Sequence, residues 1–124
     1  MDEELYKENI LEHYRNPRNK GATLDFDLKG EAHNASCGDD IYFYIKFDSN
    51  DKIEKASFEG SGCAISQAVA SMLTDEIVGK TKDELKTLSP GEIYNMLGIK
   101  ISPARVNCAL LAYEAISHSL KNRK

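Results

Sequence analysis

The sequence has no tryptophan, no run of like charge longer than three residues and only three prolines. No apolar stretch approaches the roughly 20 residues that a membrane-spanning helix needs, so binding within a membrane is not expected. The 16 lysines and arginines are scattered among 20 acidic residues, leaving a formal charge of −4. A nucleic-acid binder concentrates positive charge along a face or a helix, and nothing here does so. Low-complexity segments and internal repeats are also missing, which excludes solenoids and long disordered tracts. Cysteine is scarce and odd in number, at three, so at least one thiol stays outside any disulfide. The opening Met1-Asp2-Glu3-Glu4 is acidic where a targeting peptide is basic, and a cytoplasmic location is expected. There, disulfides are rare and cysteines serve metal binding or thiolate chemistry, or simply pack as small hydrophobes.

What is present suits one domain over residues 1–124. Hydrophobic residues make up 41% and charged residues 29% of the chain, enough for a self-sufficient core. Leu5, Ile10, Leu11 and Tyr14 predict a helix over residues 2–16, closed by Asn16-Pro17. Ile41, Phe43, Ile45 and Phe47 alternate with polar partners and predict a strand. The turn residues 48–51 then lead into a second strand from Ile53 to Glu59, with a third over 28–35. After Gly60-Ser61-Gly62 the period changes, and Ile65, Ala68, Val69, Met72, Leu73 and Ile77 trace a helix ended by Gly79. Thr81 with Glu84, and Ser89-Pro90 with Glu92, are capping-box signatures for two short helices. Ser102-Pro103 starts a final helix with an apolar stripe at Val106, Leu110, Tyr113, Ile116 and Leu120. The order predicts an α+β fold, a small three-stranded antiparallel sheet with helices packed on one face.

All three cysteines fall at junctions between elements. Cys37 precedes Gly38-Asp39 at a loop tip, and Cys63 follows Gly60-Ser61-Gly62 at a helix start, where unpaired N–H groups favour a thiolate. Cys108 lies on the second turn of the last helix, offset from its main stripe, equally able to face the core edge or a shared site. Separations of 26 and 45 residues exclude the C-x₂-C spacing of zinc fingers and ferredoxins. If the junctions converge, three thiolates and the Asp39 carboxylate make a tetrahedral ligand set for Zn²⁺ or for the iron of a small cluster. A carboxylate bonds iron less strongly than a thiolate, so such a site empties more readily than four cysteines would, which suits a carrier.

Four stretches, in order, resemble the IscU/SufU/NifU N-terminal scaffold family. They are His13-Tyr14-Arg15-Asn16-Pro17-Arg18-Asn19-Lys20-Gly21, Ser36-Cys37-Gly38-Asp39, Phe58-Glu59-Gly60-Ser61-Gly62-Cys63-Ala64-Ile65-Ser66 and Pro103-Ala104-Arg105-Val106-Asn107-Cys108. The resemblance implies a scaffold that accepts sulfur from a cysteine desulfurase, assembles a [2Fe–2S] or [4Fe–4S] cluster and transfers it to carrier proteins or apo iron–sulfur proteins. It implies Cys37, Asp39, Cys63 and Cys108 as ligands, with Cys108 and Cys37 as candidate persulfide acceptors. It also implies a non-enzymatic carrier, or a sulfurtransferase if the SufU-like alternative holds. Asn107 stands where IscU-type scaffolds have histidine, and Pro103-Ala104-Arg105 replaces the motif read by an Hsp70-type chaperone. That argues against such a chaperone and towards SufU, whose members bind zinc through three cysteines and an aspartate and activate their desulfurase. The 45-residue gap between Cys63 and Cys108 is instead IscU-like. A cluster scaffold is the expected role, with Zn²⁺ as an occupant of the purified protein.

The remaining polar residues have plainer readings. His33, His13 and His118 are expected at the surface, His33 as a solvated strand-edge residue. Arg105, three residues before Cys108, either steers an anionic persulfide or is a solvated helix-start arginine. Tyr14, Tyr42 and Tyr44 are expected to pack with wet hydroxyls. The stretch around Asn16-Pro17 and Gly21 is either a desulfurase-docking surface or simply a helix stop and turn.

Overall fold

The computed structural model describes residues 3–21, 23–34, 38–98 and 103–121. The element order is α1 (Glu3–Arg15), β1 (Leu28–Asn34), β2 (Asp39–Phe47), β3 (Ile53–Ser61), α2 (Ala64–Ile77), α3 (Lys82–Lys86), α4 (Pro90–Leu97) and α5 (Val106–Lys121), the last preceded by a 3₁₀ turn at Pro103–Arg105. The strands form an antiparallel sheet in the order β1-β2-β3. Registers run from Leu28 opposite Ile45 to Asn34 opposite Asp39, and from Asp40 opposite Ser61 to Phe47 opposite Ile53. The α+β expectation is met.

Alternation on β2 decides which face the helices take. Ile41, Phe43 and Ile45 are fully buried, each such side chain contributing about 1.5–3 kcal/mol when removed from water. They pack in one cluster with Phe58, Val69, Leu73 and Ile77, and with Ala112, Ala115 and Ile116 of α5. The turn after β2 is held by Asp48, whose carboxylate accepts from the N–H groups of Asn50 and Lys52. The Thr81/Glu84 capping box is complete. The one expected at Ser89 is not, because its side chain makes no capping bond. Pro90, with its preset φ and no N–H to satisfy, starts that helix without it.

Two other expectations are corrected. The buried face of α5 is Cys108, Ala109, Leu111, Ala112, Ala115, Ile116 and Ser119, whereas Val106, Leu110, Tyr113 and Leu120 are only half-buried. The small residues face inward because α5 lies almost on the backbone of β1. A Cβ added at Gly30 would sit 1.8 Å from the Ala115 carbonyl oxygen and 2.8 Å from Ser119 Cβ. Cys108 also falls in the first turn of α5 proper, since Pro103–Arg105 winds as 3₁₀.

His13 is not at the surface. It is 9% exposed, with Nδ1 2.7 Å from Ser71 Oγ on α2. Ser71 Oγ also accepts from the Arg18 N–H, Thr74 Oγ1 donates to the Arg18 carbonyl, and the Asn19 amide donates to Thr74 and Asp75. Asn19 and Gly21 pair with the backbone of Phe58. The stretch 13–21 therefore fastens α1 to α2 and to the edge of β3, which explains its residues structurally. Burial, the larger cause, and then Arg18 hold the His13 pKa below its ordinary 6.5. A histidine depressed in this way stabilises the fold fully above 6.5, and the contribution is lost as pH falls from there towards the folded-state value. We expect the urea midpoint of the native protein to drop more between pH 7.5 and 5.5 than that of His13→Gln; equal drops would contradict this seam.

Candidate metal centre

The site is assembled at one end of the sheet by three junctions. β2 begins at Asp39, directly after Gly38, whose φ of +70° turns the chain into the strand. Asp39 is 1% exposed. Across from it, β3 ends in Gly60-Ser61, Gly62 follows, and Cys63 is the extended N-cap residue of α2. A Cβ at Gly62, where φ is +155°, would lie 2.5 Å from the Asp39 carboxylate. Glycine is needed there so that the carboxylate can sit beneath the start of α2. The Cys63 N–H then donates to Asp39 Oδ1 at 3.1 Å, which gives one orphan donor at the helix start a partner.

The third junction brings Cys108 in from the first turn of α5. One carboxylate oxygen of Asp39 and the sulfurs of Cys63 and Cys108 all lie within 4.8 Å of one another, the only such cluster of metal-ligating groups among the described residues. Cys108 is 1% exposed and Cys63 half-buried. Asp39 Oδ2 is buried without a hydrogen-bond partner, a costly state for a carboxylate oxygen unless a cation meets it. Ligands bound to one tetrahedral metal at about 2.0–2.3 Å stand roughly 3.3–3.8 Å apart, so a modest contraction closes this set. Two soft sulfurs, one hard oxygen and an unpaired buried lone pair fit Zn²⁺ or a cluster iron. The Cys63 thiol reaches Ser66 Oγ at 3.8 Å, while the Ser66 hydroxyl donates to the Cys63 carbonyl at 3.0 Å. Cys37, the remaining expected ligand, lies outside the described residues.

A cavity of about 260 Å³ lined by His33, Asn34, Asn107, Leu111 and Glu114 adjoins this corner, since Asn34 pairs with Asp39 and Asn107 precedes Cys108. His33 is half-exposed, as expected, with Nδ1 2.6 Å from Asp40 Oδ1, a bond that raises its pKa. Burial raises that of Glu114. Arg105 is exposed, and His118 Nδ1 accepts the Glu31 N–H at 3.0 Å, fastening α5 to β1. Tyr44 is 6% exposed against Phe26, more buried than a wet hydroxyl requires. A cleft of about 720 Å³, lined by Asn19, Lys20, Asp25, Lys46 and Ser57 among others, contains none of the candidate ligands.

The family described as NifU-like N terminal domain matches residues 5–124. The chain belongs to this family. Several proteins are similar to it over most of its length. The "Zinc-dependent sulfurtransferase SufU" of Bacillus subtilis is 37% identical, over 90% of this chain and 86% of that protein. The "Iron-sulfur cluster assembly scaffold protein IscU" of Thermotoga maritima is 35% identical, over 94% and 93%. The "Iron-sulfur cluster assembly enzyme IscU" of Drosophila melanogaster is 37% identical, over 97% and 79%. Among solved structures, FiSufU of Fervidobacterium islandicum superposes with a TM-score of 0.77 at 32% identity, covering 97% of this chain and 99% of that one. The N-terminal NifU-like protein of Brucella abortus shares the fold, with a TM-score of 0.74 at 21% identity, over 96% and 94%. No helix among the described residues is long and apolar enough to cross a membrane.

Proposed function

We propose that this NifU-N protein is an iron–sulfur cluster assembly scaffold that receives sulfur from a cysteine desulfurase and passes the finished cluster to carrier or apo iron–sulfur proteins. The observation that carries the reading is the convergence of Asp39, Cys63 and Cys108, with one oxygen of the Asp39 carboxylate buried and unpaired. Cys37, two residues before Asp39 in the sequence, is the fourth ligand in this reading. Sulfur arrives when a cysteine thiolate attacks the terminal sulfur of the donor's persulfide. A new S–S bond forms on the scaffold, the donor's S–S bond breaks, and the donor cysteine leaves as thiolate. Cys108 and Cys37 are the acceptors. The cluster is cargo, a [2Fe–2S] unit or a [4Fe–4S] one built from it, and the residues hold it only until transfer.

A second reading is favoured by the 37% identity to a zinc-dependent sulfurtransferase. In it, Zn²⁺ occupies the same residues and the protein accelerates its desulfurase without carrying a cluster. The donor set suits both metals, and zinc is the occupant we assign to protein purified without added iron. The two readings separate on transfer. In the scaffold reading, Asp39→Ala retains a reconstituted cluster and releases it to an apo-ferredoxin several-fold more slowly than the native chain, followed by the acceptor's absorbance. An unchanged release rate would remove the aspartate from that role.

A further inference from the structure

Among the described residues, three buried side-chain polar atoms have no hydrogen-bond partner. One is Asp39 Oδ2, and the others are Nε2 and Oε1 of Gln67. Buried polar groups are nearly always paired, and each exception costs about 1–3 kcal/mol, so one in a native fold calls for an explanation. The Asp39 oxygen has one in the proposed metal. Gln67 has none yet, although it is only 4% exposed and could be replaced by an apolar residue of similar volume at no loss of packing.

Its position narrows the choice. Gln67 is four residues after Cys63, one turn along α2, and its N–H donates to the Cys63 carbonyl at 3.2 Å. Residues 67, 71 and 74 form one stripe of α2, whose N-cap is Cys63. Ser71 and Thr74, further along, are fully engaged with His13, Arg18 and Asn19. Helical side chains lean towards the helix N-terminus, which for Gln67 is the direction of Cys63. Both described residues with buried, unpaired side-chain atoms, Asp39 and Gln67, are thus tied to the backbone of Cys63. A primary amide there offers two N–H donors, and a sulfur bonded to metal is an acceptor that Asp39 and the neighbouring thiols cannot satisfy.

We propose that Gln67 is a positioning residue of the metal centre, donating an amide hydrogen bond to the sulfur of Cys63 when a metal or cluster is bound. The inference rests on the metal-binding reading of the site but concerns a residue outside its ligand set. Outer hydrogen bonds of this kind fix ligand orientation and tune the metal, and their loss typically weakens binding about 10–100-fold.

The test uses Co²⁺ with the full native chain and with Gln67→Met, which keeps the volume and removes the donors. Native protein should show thiolate-to-cobalt charge-transfer bands. Their absence would overturn the metal reading itself. With the bands present, Gln67→Met should shift them and weaken Co²⁺ binding about tenfold or more, while the metal-free variant melts at or above the native temperature because a buried unpaired amide is gone. If bands and affinity are unchanged, the amide serves only a buried water or the fold, and the proposal fails. A variant that loses affinity together with metal-free stability also fails it, since packing would then account for both.

Discussion

Gly30→Val is expected to destabilise the protein by about 3 kcal/mol or more, towards the upper end for a single substitution. At this position even a methyl group would overlap the Ala115 carbonyl oxygen, at 1.8 Å. The atoms in the way are helix backbone, which cannot rotate aside as a flexible side chain would. α5 must lift from β1, and Cys108 lies on the same face of that helix, so the metal centre should loosen along with the fold. Gly91→Ala provides the contrast. It stands in the first turn of α4 with nothing nearer to a new Cβ than Ser89 Oγ at 3.8 Å, and should gain roughly 0.5–1 kcal/mol from the smaller entropy loss. Urea titrations of both variants check the pair. A Gly30→Val protein of native stability would contradict the close approach of α5 to β1.

The second large effect belongs to Cys108→Ala. The residue is fully buried in the small-residue face of α5, and alanine is its neighbour there at positions 109, 112 and 115. The variant should therefore fold with little loss. Metal affinity is another matter: removing a ligand should exceed the 10–100-fold penalty typical of losing an outer hydrogen bond. Equilibrium competition with a zinc-binding chromophore measures it. A variant that folds and binds zinc as tightly as the native chain would exclude Cys108 from the ligand set.

Much of this arrangement was legible in the sequence because local rules govern it. The alternation from Ile41 to Phe47 marks β2 and its buried face, Asp48 and its neighbours mark the turn, and Thr81 with Glu84 marks a helix start. The junction placement of Cys37, Cys63 and Cys108 pointed to the site. Their separations said nothing about distance in space, and that Asp39, Cys63 and Cys108 meet depends on how β2, α2 and α5 pack. What was misread depends on contacts between distant segments. The stripe of large residues on α5 looked like its core face, but Gly30 on β1 admits the helix only by its alanines. His13 read as a surface residue because its partner, Ser71, is 58 positions away. Gln67 carries no signal in the sequence, since a glutamine within a helical pattern is ordinarily solvated, and only its burial without partners sets it apart.

The central claim is that these residues hold a transferable cluster. The most direct measurement is iron and acid-labile sulfide in the native chain after removal of any zinc by mild chelation and anaerobic incubation with iron, cysteine and a cysteine desulfurase. The account predicts iron and sulfide bound in equal amounts, with a visible chromophore. One tightly held zinc that returns in their place, with no labile sulfide, would contradict the scaffold and leave the sulfurtransferase reading standing.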